Sequence, residues 1–360
     1  MVSRPTQCRA WVLKNKPTGI PILSGDETTF ALTTIELPPL KENQVLVKAL
    51  YFSNDPAQRG WIDPIIPKER LYVTPAEVGQ PMRARALGQI IESTSNEIEQ
   101  GAIVRATINW QEYAVLDANS VYVTAALPHN LSLTHYLGAL GSTGLTAYYG
   151  LLDVGEARKG DKVVVSGAAG ATGSMVVQIA KKIVGAESVI GIAGTDEKCR
   201  WVEELGADKC KSSLSLNYKS PTFKQDLHEA TSAGVDLYFD NVGGEILDLM
   251  LTRMSRHGRI TACGAISGYN SDNPCVLHNY FHVISMRVRI QGMIIHDFPP
   301  DKASEAQDLL LRAIADGQLS LSDDNETVVP TAFEKVPETW LKLFQGSNTG
   351  KLVTQLMWPE

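Results

Sequence analysis

The 360-residue sequence lacks any run approaching the roughly 18 consecutive apolar residues that a membrane span requires. It also lacks an excess of positive charge. There are 33 Lys and Arg against 40 Asp and Glu, a formal net charge of -7. That weighs against nucleic acid as the main partner, because phosphate binding needs clustered cations. A small anion remains possible, since one local basic pocket is enough for it. Cysteine is sparse: Cys8, Cys199, Cys210, Cys263 and Cys275 are scattered, odd in number and contain no C-x-x-C pair. A disulfide framework and a structural zinc cluster are therefore not expected. No apolar core follows Arg4, so the first ten residues do not read as a secretory signal. The final residues, Met357-Trp-Pro-Glu360, match no peroxisomal or retention signal. The expected compartment is the cytosol, and no membrane partner is expected. Internal repeats and low-complexity runs are absent as well.

What remains is an ordinary globular composition, 44% hydrophobic and 20% charged, long enough for two domains. The first 130 residues read as β-rich and irregular. Strands are expected at Ala10–Leu13, Gln44–Tyr51, Gly88–Ser93 and Ala102–Ile108, with proline-rich punctuation between them. Near Leu133 the pattern changes to alternation. Strands at Lys162–Ser166, Ser188–Ile192, Leu237–Asp240, Gly258–Cys263 and Val288–Ile294 alternate with helices at Gly173–Val184, Glu197–Leu205 and Glu245–Met254. Short apolar strands separated by helices predict a parallel sheet covered on both faces. After Pro299-Pro300 come a helix near Lys302–Asp316, a strand near Thr327–Val329, a helix near Val336–Gln345 and a last strand at Lys351–Leu356. This tail is expected to return to the first domain.

The strand Lys162–Ser166 runs into Gly167-Ala-Ala-Gly170-Ala171-Thr172-Gly173 and then a helix. That order is the context of a dinucleotide site. A glycine turn brings the backbone close to a pyrophosphate. The helix N-terminus then offers it free N–H groups and a positive dipole end. The spacing is G-x-x-G-x-x-G, and a glycine turn that merely joins strand to helix is the plain alternative. The next strand, Val189–Ala193, ends in Gly194-Thr195 with no acid at its tip. An acid there would bond a ribose 2′-hydroxyl and repel a 2′-phosphate. Its absence, with Lys198 in the following turn, favours NADPH. Taken alone, Lys198 reads as a solvated helix residue. Asp196 and Glu197 fall in the first helical turn, where they complement its dipole.

These residues carry a resemblance. Gly144-Leu-Thr-Ala-Tyr148, the Gly167–Gly173 turn, Gly194-Thr-Asp-Glu-Lys198, Asp240-Asn-Val-Gly-Gly244, Cys263-Gly-Ala-Ile-Ser-Gly-Tyr-Asn270 and Gly346-Ser-Asn-Thr-Gly-Lys351 span nearly the whole chain. Together they resemble the zinc-independent branch of the medium-chain dehydrogenase/reductase superfamily, in its leukotriene/prostaglandin reductase and 2-alkenal (double-bond) reductase subgroup. The resemblance implies an α/β fold: a GroES-like β-rich catalytic domain with an inserted Rossmann doubly wound parallel-sheet domain. The expected boundaries are 1–130 with 298–360 for the first and 131–297 for the second, with the active site at their junction. By similarity, Gly167, Gly170, Ala171, Thr172, Gly173 and Gly194 form the cofactor cradle. Lys198 and Tyr218 would hold the 2′-phosphate end. Asn241 and the following glycines would lie near the pyrophosphate or ribose, and Asn348 would reach the nicotinamide half. Thr146, Cys263 and Gly264 would line the channel, and Tyr269 would stand at the reacting centre. Homodimerisation through the Val288–Ile294 edge is also implied.

Zinc members of the superfamily carry a Cys ligand in the first domain and a G-H-E segment downstream. Here those regions read Ser53–Arg59 and Glu77–Pro81, with no Cys or His. Without such a Lewis acid, alcohol–carbonyl interconversion becomes less expected than hydride addition to a polarised C=C bond. The implied activity is NADPH-dependent reduction of an α,β-unsaturated carbonyl, an enone or enal. Tyr269 would donate to the carbonyl oxygen as charge builds there. From spacing alone, Tyr269 reads as a loop tyrosine packing between domains. One departure concerns the substrate pocket of Tyr51, Asn54, Ala57 and Tyr269. The subgroup has D-P-Y-M-R, whereas this chain has Asp55-Pro-Ala-Gln-Arg59, so Ala57 removes a hydrogen-bond donor. Two other readings stand beside this one: a quinone reductase, and a non-catalytic NADPH-binding protein. Seven scattered histidines, including His278 and His282 at i, i+4, form no recognised metal spacing. Cys263 reads as a small buried hydrophobe.

Overall fold

The computed structural model describes residues 4–208, 215–271 and 275–358. Cys210 and the extreme ends read above lie outside the described residues. The chain divides into two compact units, Met1–Leu137 with Thr327–Glu360, and Gly138–Glu326.

In chain order the first unit opens with strands β1 (Gln7–Leu13), β2 (Phe30–Glu36), β3 (Gln44–Ser53), β4 (Arg85–Ser93), β5 (Ile103–Thr107), β6 (Tyr113–Asp117) and β7 (Tyr122–Val123). The second unit follows with α1 (Ser142–Tyr149), β8 (Lys162–Ser166), α2 (Ala171–Gln178), β9 (Ser188–Ala193), α3 (Asp196–Leu205), β10 (Leu216–Asn217), α4 (Phe223–Ala230), β11 (Val235–Asp240), α5 (Gly244–Leu251), β12 (Met254–Ala262), α6 (Phe281–Met286), β13 (Arg289–Gly292) and α7 (Pro300–Ala315). The tail adds β14 (Glu326–Thr331), α8 (Val336–Leu341) and β15 (Lys351–Leu356).

In the first unit, β1 and β2 form an antiparallel pair, and a larger sheet runs β14-β15-β3-β4-β5-β7 with β6 on β3. The last strand thus pairs antiparallel with β3, Val353 opposite Ser53. Alternation along β3 and β4 turns Val45, Val47, Ala49, Ala86 and Ile90 inward, where they are fully or almost fully buried. Phe30, Trp110 and Trp340 meet edge to face, with centroids 5.0, 5.6 and 6.0 Å apart, and anchor this core. Trp340 arrives from the tail, so the core is completed only by residues far along the chain.

The second unit is built on a parallel sheet, β10-β9-β8-β11-β12-β13. Numbered by appearance this is 3-2-1-4-5-6, the order of a dinucleotide-binding doubly wound sheet. Val163, Val165, Val189, Ile192, Leu237 and Phe239 are all unexposed, as a sheet covered on both faces requires.

Several expectations shift. The helix drawn to Met254 ends at Leu251, and Met254 begins β12, pairing with Val235. The edge strand shortens to Arg289–Gly292, with all four residues exposed. The second unit also extends to Glu326, beyond the boundary expected after Asp297. Phe298 stacks on Tyr149 at 4.1 Å, Gln307 Nε2 donates to the Leu140 carbonyl at 2.5 Å, and Gln178 exchanges bonds with the Ser320 backbone at 2.7 and 3.1 Å. These contacts hold α7 and its exit on α1 and α2.

Candidate functional site in the second unit

The β8–α2 connection is shaped by three glycines. Gly167 has φ +58, a conformation that glycine adopts without strain. The Gly170 N–H closes the turn on the Gly167 carbonyl at 2.9 Å. At Gly173 a Cβ would lie 2.3 Å from that same carbonyl oxygen, so the helix can approach the turn only without a side chain. Gly170 is the N-cap of α2 and supplies no side-chain cap. The first N–H groups of the helix are thereby presented to an acceptor, with the dipole behind them.

Beside the turn, the end of β11 is organised by Asp240, which is 1% exposed. Its Oδ1 accepts from Ser166 Oγ at 3.0 Å, Tyr238 OH at 2.8 Å, and the N–H groups of Val242 and Gly243 at 3.0 and 2.9 Å. Burial and the nearby Asp240 push the Tyr238 phenol well up, so it stays a donor. Ser166 in turn accepts the Asn241 N–H at 3.0 Å, and Asn241 Nδ2 donates to the Ser166 carbonyl at 2.8 Å. Asn241 is thus fixed against Gly167, whose Cβ would sit 3.3 Å from that of Asn241. One buried carboxylate positions both walls of the cradle. Sequence reading missed Asp240 and Ser166 in this role, because the bonds span 74 residues.

The loop after β12 completes this side. The N–H groups of Cys263 and Gly264 donate to the Asp240 carbonyl at 2.9 and 3.1 Å. Burial, then Asp240, pushes the half-buried Cys263 thiol up to about 12, so it is no nucleophile at neutral pH. The Tyr269 hydroxyl accepts the Ala265 N–H at 3.1 Å. Accepting that bond polarises its own O–H as a donor. Ser267 Oγ donates to the Val242 carbonyl at 2.6 Å, tying the loop to the glycine turn that opens α5.

At the end of β9, Tyr218 lies across Gly194, where a Cβ would be 3.1 Å from its ring. The Tyr218 N–H donates to the Ala193 carbonyl at 3.0 Å. Thr195 caps α3 by accepting the Lys198 N–H at 3.2 Å. Asp196 is engaged by Asn217 Nδ2 at 2.8 Å. Burial and the like charge of Lys219 lower the Lys198 pKa, against a smaller opposing effect of Glu197. Lys219 also stands over the Tyr218 ring, 5.8 Å from its centroid. Two ammonium groups and a phenol ring therefore cluster where the strand carries no acid. Sequence reading gave Lys219 no role. Its signal was its place next to Tyr218.

Thr146 sits half-buried on α1, which packs against α2. The remaining expected residues belong to the first unit. Tyr51 is on β3 opposite Gln355 and Leu87. Asn54 is 1% exposed, its Nδ2 donates to Thr354 Oγ1 at 2.9 Å, and its buried Oδ1 has no hydrogen-bond partner. Ala57 lies in the short 3₁₀ helix Pro56–Ile62. That helix is held by Lys351 Nζ on Asp55 at 2.5 Å, Gln58 Nε2 on the Arg83 carbonyl at 2.8 Å, and Arg59 on Asp63 at 2.9 Å. Asn348 Nδ2 donates to the Gly350 carbonyl at 2.9 Å. Among the described residues, no group of three or more His, Cys, Asp or Glu side chains is placed to hold a metal ion.

Two family models match the chain. Residues 9–123 match the N-terminal domain of oxidoreductase, and residues 171–312 match the zinc-binding dehydrogenase model. Prostaglandin reductase 1 from Bos taurus is 35% identical over 350 residues, covering 96% of this chain and 98% of that protein. Prostaglandin reductase 1 from Mus musculus is 34% identical over 352 residues, covering 97% and 99%. Among solved structures, CurA from Vibrio vulnificus in complex with NADPH superposes with a TM-score of 0.85 at 32% identity, covering 98% of this chain and all of that one.

Proposed function

Since the chain belongs to the medium-chain dehydrogenase/reductase superfamily, in the branch that includes prostaglandin reductase 1, we propose that it is an NADPH-dependent oxidoreductase that reduces the C=C bond of an α,β-unsaturated carbonyl compound. The observation that carries this reading is the cation pair Lys198 and Lys219 around Tyr218, next to a glycine turn and an uncapped helix N-terminus. Such a set suits a dinucleotide with an extra phosphate. CurA, similar over its full length, was solved with NADPH.

In this reading the Gly167–Gly173 turn and the first turn of α2 bind the pyrophosphate. Lys198, Tyr218 and Lys219 bind the 2′-phosphate, and Gly194 gives Tyr218 room to lie flat. Asn241, Thr146, Cys263 and Gly264 flank the ribose and nicotinamide halves, and Asn348 contributes from the tail. When bound, NADPH supplies the hydride that the β-carbon accepts. Tyr269 donates its O–H to the substrate carbonyl oxygen as negative charge builds there, an interaction that strengthens toward the transition state. Tyrosine is protonated at neutral pH and needs no pKa tuning for this. Protonation of the α-carbon follows, from Tyr269 or water. Tyr51, Asn54 and Ala57 shape the substrate side, and alanine at 57 leaves it one donor fewer than the usual tyrosine.

Two finer points belong to the same proposal. The four exposed residues of β13, with Tyr280, Phe281 and Ile284 exposed nearby, suit pairing with a second copy about a two-fold axis. The cysteines described are all free, which suits a cytosolic setting.

The test is NADPH oxidation by purified protein with a panel of enals, enones and quinones, with NADH in parallel. Turnover of enones or enals with a strong NADPH preference is expected. Turnover of quinones alone would move the chain to the quinone reductases. Tight NADPH binding with no turnover of any of them would leave a binding role.

A further inference from the structure

The second unit carries another polar cavity, of about 390 Å3, at the opposite end of its sheet. The dinucleotide turn sits where β8 and β11 end. This cavity opens where they begin, beside Asp161 and Asp236. Strands of five to six residues separate the two ends by roughly 15–20 Å.

Five arginines and three carboxylates line the cavity, together with His257. Asp161 is taken by Arg259 at 2.7 Å. Glu156 is taken twice, by Arg289 at 2.6 Å and Arg158 at 3.1 Å. Asp236 accepts the Lys162 N–H at 3.0 Å. Among the described residues, Arg256 and Arg287 are left with no carboxylate partner. Arg287 donates only to a backbone oxygen, that of Ser285 at 2.5 Å.

The backbone is unusual in the same place. Seven described non-glycine residues have positive φ, and three of them line this cavity: Glu156 at 49, His257 at 64 and Arg287 at 53. Glutamate and arginine adopt this conformation at a cost, and it persists where the surroundings hold it. Here it places the Arg287 guanidinium and the His257 ring on one concave surface.

We infer that this cavity is a binding site for a small polyanion, carrying two or more phosphate or carboxylate groups, separate from the nucleotide cradle. Guanidinium forks match such oxygens in pairs. The volume is that of a small-molecule site. The inference does not depend on which double bond the enzyme reduces.

The experiment is calorimetric titration of the full-length protein with inorganic pyrophosphate, and separately with citrate, at fixed ionic strength and saturating NADPH. Either anion is expected to bind, and the tighter one tells phosphate from carboxylate recognition. The double variant Arg256→Gln/Arg287→Gln should weaken that binding by about tenfold or more, the loss expected for removing charge-assisted bonds. Its NADPH affinity, read from cofactor fluorescence, should be unchanged, which also reports that the fold is intact. Both side chains are exposed, so the substitutions should be tolerated. Absence of binding up to about 10 mM overturns the inference. So does unchanged anion binding in the double variant, or binding that saturating NADPH abolishes. If NADPH itself fails to bind, the same titration without it still reads the cavity through the double variant.

Discussion

Lys198 has surroundings that already disfavour its charge: partial burial and Lys219 both lower its pKa. A cluster of that kind relaxes when an anion arrives. Lys198→Ala should therefore raise the KM for NADPH by about 10- to 100-fold, the range for a lost charge-assisted bond, and leave that for NADH nearly unchanged. Steady-state kinetics with both cofactors checks it, and equal effects on the two would remove Lys198 from the phosphate site. Tyr269 makes a separate prediction. Tyr269→Phe should lower kcat by about 10²–10³-fold, the usual loss for one oxyanion donor, with NADPH affinity and melting temperature little changed. A Phe variant with full kcat would mean that the phenol only closes its own loop on Ala265. At this scale the sequence was informative about residue types but not about partners. Lys198, Tyr218 and Gly194 stand in short local motifs, and the structure brings Tyr218 onto Gly194. Asp240 stands in a motif too, yet its four donors come from β8, β11 and the turn after it. No local pattern encodes which strand will lie alongside.

Among the elements, the strand, turn and helix at 162–178 illustrate what was legible. The strand Lys162–Ser166 has the bounds expected from its apolar run, and the turn is where the glycines are. The helix starts at Ala171, two residues earlier than expected, because Gly170 serves as its N-cap. Gly173 is the point at which helix and turn touch. Gly173→Ala would put a methyl 2.3 Å from the Gly167 oxygen, and the helix must move away. The expected cost is about 1–3 kcal/mol of stability and most of the NADPH affinity. Thermal melts and fluorescence titration read the two effects, and a variant that binds NADPH normally would refute the close-approach argument. Two strands that escaped sequence reading share a cause. Strand β2 exposes most of its residues and so shows no clean alternation, and β10 has only two residues. Such strands exist because a partner offers a ladder, which composition does not announce.

At the scale of the whole molecule, the first unit is joined from segments far apart in sequence. Lys351, only 4% exposed, reaches Asp55 at 2.5 Å. Burial alone would raise the Asp55 carboxyl. Lys351, Ser53 and Arg85 outweigh it and hold the pKa below the usual aspartate value. A folded pKa below the unfolded one gives stability that is full above about 4 and is lost as pH falls through the lower folded value. Urea unfolding followed by the Trp110 and Trp340 core should show this loss in acid. Lys351→Met should flatten or reverse the slope and cost about 1–3 kcal/mol at neutral pH, since it leaves the part-buried Asp55 carboxylate without its ammonium partner. An unchanged acid slope in that variant would discount the pair. The returning tail was legible in outline, because Lys351–Leu356 reads as a strand outside the alternating region. Its starting point was not. The amphipathic α7 declares that it has a face to bury but not which unit buries it, and it packs in the second.

The discontinuous first unit also has a consequence for how the chain is made. Strand β15 lies inside its sheet, between β14 and β3, and Trp340 completes its aromatic core. On a ribosome adding about 5–20 residues per second, residues 1–137 wait on the order of ten seconds or more for that strand. The second unit is contiguous and can finish during the wait. During that interval the Tyr51–Ser53 end of β3, beyond the stretch that β6 covers, is open to any passing strand, and a chaperone acting on this protein would find its work there.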